Sequence, residues 1–255
     1  MGYIDMDKYF QVVNDNNIIQ IDDTFKNYIL TRKTSVVVRP TTNQECYIGE
    51  LYKGTLKLLP GEITAAVVPK TNNRCSFSVS LVDKTLSINM NVQHFWYEKL
   101  KEFEFDVYVF GDGLLKSREL AGLEVYNSQG EPVFSSKYKY MRVLKSRFGA
   151  LSFKIGDHRH SSITANGKRL ETLYFSNKAR VLGVTPCVTP WFFWDWEPQG
   201  HFLGLIGYEY LGDTIYISTF PYVRSYVKDI DGPAMPLDTV ITYPCNYMVI
   251  DVTDY

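Results

Sequence analysis

The sequence predicts an all-β protein built as two tandem β-sandwich-like domains, each opening with a β-hairpin. Three observations predict it. The chain is rich in aromatic side chains that suit half-buried pleated surfaces, with 19 Tyr and 15 Phe in 255 residues. Apolar and polar residues alternate over short runs bounded by Gly, Pro, Asn and Asp. A hairpin-like stretch near the N-terminus recurs 113 positions later.

The recurrence sets the domain count. The first copy runs Phe10-Gln11-Val12-Val13-Asn14-Asp15-Asn16-Asn17 and continues through Ile21, Phe25 and Lys26. In the second, Val125 falls on Val12, Asn127 on Asn14, Gly130 on Asn17, Phe134 on Ile21, Tyr138 on Phe25 and Lys139 on Lys26. Both copies alternate, turn at a polar stretch ending in Asn or Gly, and alternate again. Asn and Gly tolerate the positive φ that tight hairpin turns require, so each copy reads as two strands and a turn. The unit is domain-sized, which places one β domain at 1–113 and a second at 114–255.

Further strands follow in order. Segments 35–39, 62–68, 76–82, 86–92 and 103–110 carry β-branched and aromatic residues, and Pro60-Gly61, Asn72-Asn73 and Asp83-Lys84 fall between them as turns. Alternation over 76–81 puts Phe77, Val79 and Leu81 on one face. The helical candidate is 93–102, where Val92, Phe95, Trp96, Leu100 and Phe103 fall near one helical face. Gly111-Asp112-Gly113 reads as a turn, and the stretch Gly111 to Leu120, with two glycines and several charges but no strong periodicity, holds the boundary between the domains. Near the C-terminus, 247–251 reads as the counterpart of the first domain's last strand. The second domain is longer, so it holds an insertion.

That insertion includes Thr185 to Pro198, where three of the four Trp lie within six residues. The prolines exclude a long helix, and alternation puts Trp191, Phe193 and Asp195 on one face with Phe192, Trp194 and Trp196 on the other. A strand apolar on both sides is buried between layers, covered by a subunit, or offered to a ligand. Trp191, Phe193, Trp194 and Trp196 are therefore the ligand or interface candidates.

Other classes of function find little support. A net charge of −1 does not favour nucleic acid. The first residues lack a basic-then-apolar leader, and no apolar run reaches the roughly 18 residues of a membrane helix, so synthesis in the cytoplasm without membrane insertion is expected. Cys46, Cys75, Cys187 and Cys245 are far apart and read as free thiols, not a zinc site. His158 and His160 share one side of an extended segment but lack a third ligand at a recognisable spacing. Asp195, Glu197, Glu209 and Asp213 lie beside aromatic residues, yet nothing in the sequence aims two of them at one sugar. Nucleophile elbows, phosphate-binding loops and His-Glu-x-x-His signatures are absent. The expectation is a protein with no catalytic residue, no metal and no cofactor.

One resemblance bears on role. Gly122-Leu123-Glu124-Val125-Tyr126-Asn127-Ser128-Gln129-Gly130-Glu131-Pro132-Val133-Phe134-Ser135-Ser136, followed by Tyr138, Tyr140 and Arg142-Val143-Leu144, resembles the opening of small β-rich tail-associated proteins of tailed bacteriophages. Those openings have a Gly-Leu-x-Val-Tyr-Asn strand, a polar Gly turn and a Phe-Asp-Ser return; Ser135 stands where Asp is usual. The first copy is similar but more divergent. The resemblance covers about twenty residues in each half and is structural. It implies a virion tail component at the tail tip or fibre, assembling with other tail proteins as a trimer or hexamer. Host-surface glycan or receptor binding through the Trp-rich segment is the alternative role.

Overall fold

The computed structural model describes residues 11–13, 19–22, 28–41, 50–70, 75–92, 102–112, 122–154, 169–174, 181–186, 192–196, 200–211, 214–225 and 240–255. These are β structure joined by turns, without a helix among them. The expected helix at 93–102 lies outside the described residues except for Glu102. In the first half run β1 (Gln11–Val13), β2 (Ile19–Asp22), β3 (Ile29–Pro40), β4 (Glu50–Lys57), β5 (Glu62–Pro69), β6 (Cys75–Val82), β7 (Thr85–Val92) and β8 (Phe103–Gly111). The second half holds β9 (Glu124–Tyr126), β10 (Pro132–Ser135), β11 (Arg142–Arg147), β12 (Ala150–Lys154), β13 (Arg169–Tyr174), β14 (Leu182–Val184) and β15 (Phe192–Trp196). After these come β16 (Gly200–Leu211), β17 (Thr214–Ser225), β18 (Val240–Pro244) and β19 (Tyr247–Asp251).

The two hairpins share one register. In β1·β2 the partners are Gln11 with Asp22, Val12 with Ile21 and Val13 with Ile19; in β9·β10 they are Glu124 with Ser135, Val125 with Phe134 and Tyr126 with Pro132. Each pair in the second set lies 113 residues after its counterpart, and both ladders slip by one residue at the same step. In the second copy the turn is organised by Asn127, whose Oδ1 accepts from the backbone of Gln129 (3.0 Å) and Glu131 (2.8 Å), while Gly130 sits at φ 76°. A side chain that mimics the backbone in this way is the physical reason for Asn at that position.

The repeat extends far beyond the hairpins. β3 pairs with β8 from Ile29·Gly111 to Val38·Phe103, with a bulge between Leu30 and Arg32. β11 pairs with β19 from Arg142·Asp251 to Arg147·Tyr247, with a bulge between Val143 and Lys145 at the matching place. β12 continues that ladder on β18, so Ala150·Pro244 corresponds to Val37·Glu104. Likewise β14 on β19 corresponds to β5 on β8. The hairpin β6·β7 turns through Asp83 and Lys84, both at positive φ as a primed two-residue turn requires, and its counterpart β16·β17 closes at Leu211·Thr214 where β6·β7 closes at Val82·Thr85. Finally, β4 on β7 corresponds to β13 on β17. Among the described strands, β15 alone has no counterpart, and it lies in the aromatic insertion.

The copies join through corresponding strands. One layer has the order β11-β19-β14-β5-β8-β3, and the other β4-β7-β6-β16-β17-β13. Each order is symmetric about its centre, where β14 meets β5 at Val184·Val67 and β16 meets β6 from Tyr208·Phe77 to Tyr210·Cys75. Corresponding strands that pair antiparallel are related by a local two-fold axis. The layers face each other, with Phe77 edge-on to Phe105 at 4.9 Å and the Tyr208 hydroxyl donating to the Thr185 carbonyl at 2.8 Å. Their shared core draws on both halves, including Val79, Ile88, Val107, Leu173, Ile217 and Val249. The 113/114 division therefore separates two repeats that contribute to one core.

A second core lies behind the first layer. Ile29 bridges to Tyr140, Leu30 N donates to the Lys139 carbonyl (2.7 Å) and Met141 N to the Tyr28 carbonyl (2.9 Å). The six strands thus curl until first and last meet. Enclosed there are Ala66, Tyr108, Phe110, Ile250 and Val252, with Tyr255 packed on Tyr108 and Phe110 and donating to the Tyr140 carbonyl. Because this layer is covered on both faces, β8 is buried continuously from Val107 to Gly111, after alternating from Phe103 to Asp106 where only one face is covered.

The corner where β3 reaches across to β4 depends on a glycine. Arg39·Lys53 and Pro40·Tyr52 join the two layers there. A Cβ on Gly54 would stand 2.7 Å from Val36 Cγ1 and 2.9 Å from the Val37 carbonyl oxygen, inside contact distance. Gly54→Ala should lower stability by about 1–3 kcal/mol through overpacking, read as a lower urea midpoint at unchanged m-value.

Candidate functional site

Since the repeats share register, positions where they differ can be read one against another. Among the described residues, several chemically significant differences gather at one corner of the second repeat. Gly54 faces Ile88 on β7, and Glu171 faces Ile217 on β17, so Glu171 stands where the first repeat has Gly54. No pairing joins β12 to β13 among the described residues, whereas their counterparts β3 and β4 pair. A carboxylate cannot occupy the space that Gly54 leaves empty, and among the described residues β12 and β13 are separated by an unpaired seam.

An arginine fills the gap between the edges. Arg147 Nη1 donates to Glu171 Oε2 at 2.9 Å, and Arg147 Nη2 donates to the Ala150 carbonyl at 3.2 Å. Ala150 corresponds to Val37, whose carbonyl lies directly against Gly54 in the first repeat. A guanidinium therefore spans the place where backbone meets backbone in the other copy. Lys145 Nζ also reaches Glu171, 3.3 Å from Oε1. Its counterpart Arg32 turns instead to Glu62 on β5, with Nε–Oε1 at 2.7 Å and Nη2–Oε2 at 3.0 Å. One bulge position thus supports two different ion pairs.

The interior next to the seam is more polar than its counterpart. Tyr247 replaces Val107, Cys245 replaces Phe105 and Tyr208 replaces Val79, all buried between the layers. Tyr208 and Tyr247 pack edge to face at 6.4 Å. The Tyr247 hydroxyl is buried against the Glu171 carboxylate, and the residue is 1% exposed. Burial first, and then the neighbouring carboxylate, raise the Tyr247 phenol far above its ordinary value. At Glu171 burial acts upward, but Tyr247, Lys145 and Arg147 together outweigh it and hold the carboxyl below the usual range. Glu62 is also lowered, chiefly by its hydrogen bond to Arg32.

The residues singled out from sequence fall elsewhere. Phe193, Trp194 and Trp196 lie on β15, in register with Leu203, Phe202 and Gly200 of β16; Trp191 lies outside the described residues. β15 and β6 share one edge of β16, end to end, because β17 takes the whole of the other. Glu209 is buried on β16, whereas Asp195 pairs with His201 of the same strand. Eight strand residues between those positions amount to about 26 Å, well beyond the roughly 5–9.5 Å that the two carboxyl groups of a glycosidase span. Asp195 and Glu209 are not such a pair. His158, His160, Glu197 and Asp213 lie outside the described residues, as do Cys46 and Cys187, while Cys245 is buried. Lys145, Arg147, Glu171 and Tyr247 were not legible as a site, because only the register of the repeats sets them apart. Comparison with protein-family models, with curated proteins and with solved structures returns no match.

Acid should expose the role of these carboxylates. Their folded pKa values lie below the unfolded value of about 4.3, so the stability they contribute is full above that pH and lost as pH falls through the folded values. Urea titrations from neutral pH to about pH 3 should show this loss, and Glu171→Gln should flatten part of it while costing about 1–3 kcal/mol at neutral pH.

Proposed function

We propose that this chain is a structural or accessory component of a bacteriophage tail, placed at the tip or fibre and acting through contacts with other tail proteins. The observation that carries this reading is the hairpin β9·β10. The residues that resemble tail-protein openings form one compact unit, and β1·β2 repeats its register and its slip. A fold of two layers, two cores and many buried aromatic residues suits a particle that persists outside a cell, where slow unfolding matters more than equilibrium stability. The neutral charge favours short-range contacts over long-range attraction.

The second reading is recognition of host-surface glycan or receptor by the Trp-rich insertion. It is favoured by one feature: β15 has no counterpart among the described strands of the first repeat. Trp194→Ala and Trp196→Ala separate the readings. Loss of adsorption to host cells by a variant that still folds and assembles supports recognition.

For the assembly reading, purified virions should contain the chain in fixed stoichiometry with tail proteins, and the isolated protein should sediment as a closed oligomer. A strict monomer absent from virions would overturn it.

A further inference from the structure

We propose that the row of cations along β11, Arg142, Lys145 and Arg147 with Lys139 just before it, is a binding surface for an acidic polysaccharide, a sugar chain carrying carboxylate or phosphate groups. The inference rests on the reading that the chain recognises host-surface glycan; it adds a second surface to the Trp-rich insertion and names the charge of the ligand. Three observations carry it.

The first is register. The bulge between Val143 and Lys145 skips one residue, so Arg142, Lys145 and Arg147 oppose Asp251, Val249 and Tyr247 and share one face of the strand. Lys139 lies beside them, since its ammonium and the Arg142 guanidinium both cover the Tyr255 ring, at 5.7 and 4.7 Å from its centre. The matching face of β3 carries Ile29, Arg32 and Thr34, one cation where β11 has three. The three-cation row is a feature of the second repeat.

Exposure is the second. Arg142 meets Asp251 at 3.6 Å, while Lys145 and Arg147 meet Glu171 at 3.3 and 2.9 Å. The side chains of Arg142, Lys145 and Arg147 are 46%, 46% and 37% exposed, against 11% for Asp251 and 18% for Glu171. Each carboxylate is thus roofed by its cations, and the surface these pairs offer to water is positive. In the first repeat, Lys70 with Glu104 and Arg39 with Glu102 expose acid and base to similar extents, so those charges cancel at the surface. A cation that keeps some of its donors in water can take a second anion in charge-assisted hydrogen bonds.

Third, exposed aromatic rings stand at the end of the row. Phe148 follows Arg147 and is 74% exposed, and Tyr174, three residues along β13 from Glu171, is 77% exposed. Such rings can take the apolar face of a sugar while the neighbouring cations take its anionic group. Nucleic acid, charged at every phosphate, calls for a broad basic face, which a chain of net charge −1 does not favour; a short row of cations suits a polymer whose charges are spaced by whole sugar units.

The test titrates the full chain by calorimetry with oligogalacturonate, phosphorylated oligomannose and neutral maltohexaose. An anionic sugar should bind and maltohexaose should not, and the tighter of the two anionic probes tells carboxylate from phosphate. Arg142→Gln with Lys145→Gln should weaken that binding by about tenfold or more, and Lys33→Gln, on the first repeat, should leave it unchanged. Should the double variant fail to fold by circular dichroism, salt decides on the native chain, since binding should weaken between about 0.05 and 0.5 M salt. Absence of binding by both anionic sugars at millimolar concentration, equal binding of maltohexaose, indifference to both salt and the double variant, or tighter binding of an oligo-dT or a poly-Glu peptide of equal charge would overturn the proposal. If the acidic sugars fail while Trp194→Ala still abolishes adsorption, the cation row falls and glycan recognition by the insertion stands.

Discussion

A strand between two cores has no face to give to water, and that constraint organises this molecule. β5, β8 and β19 each present one row of side chains to the other layer and the opposite row to the enclosed cluster around Tyr108, Phe110 and Ile250. Their sequences answer with near-continuous apolar runs, Ala65-Ala66-Val67 and Val107-Tyr108-Val109-Phe110 among them. Burying each such Val, Ile or Phe stabilises by roughly 1.5–3 kcal/mol, so covering a second face adds a full set of these terms. The curl of the six strands, the bridge from Ile29 to Tyr140 and the docking of Tyr255 all serve to keep that second face dry.

Much of this architecture was legible in the sequence. Both hairpins and their relation were visible because Asn127 and Gly130 perform turn chemistry that few residues can. Strands β5, β6, β7, β8 and β19 were visible because their patterns are alternating or continuously apolar. β4 was not, and the cause is local: its inward positions are Tyr52, Gly54 and Leu56, and the glycine breaks the apolar alternation that would have marked the strand. The reach of the repeat was hidden for a different reason. Beyond the hairpins the copies share backbone pairing more than residue identity, and loops of unequal length shift the correspondence from strand to strand. What register preserves, a simple offset in sequence cannot display.

The candidate site was illegible for that same reason. Lys145 and Arg147 are ordinary charged residues on a short strand, and Glu171 is an ordinary carboxylate on another. Their meaning comes from what stands opposite in the first copy: Gly54 permits a corner to close, and at the corresponding place Glu171 pairs with Arg147. The polar substitutions behind it, Tyr247 for Val107 and Cys245 for Phe105, lie in the same register-matched block. The two copies thus differ at this corner, the first built around Gly54 and the second around Glu171.

The seams at β5·β14 and β6·β16 have a consequence for descent. A polypeptide containing one repeat alone would carry two bare edges, and the surface that fits them best is the same pair of edges on its twin. Such a unit is a homodimer in waiting. Fusing two genes end to end removes its dependence on concentration, since the twin is then always within reach. It also breaks the rule that every mutation in a symmetric dimer appears twice. A carboxylate at position 171 alters one corner and spares the other, so novelty at one end of the molecule no longer has to be tolerated at both.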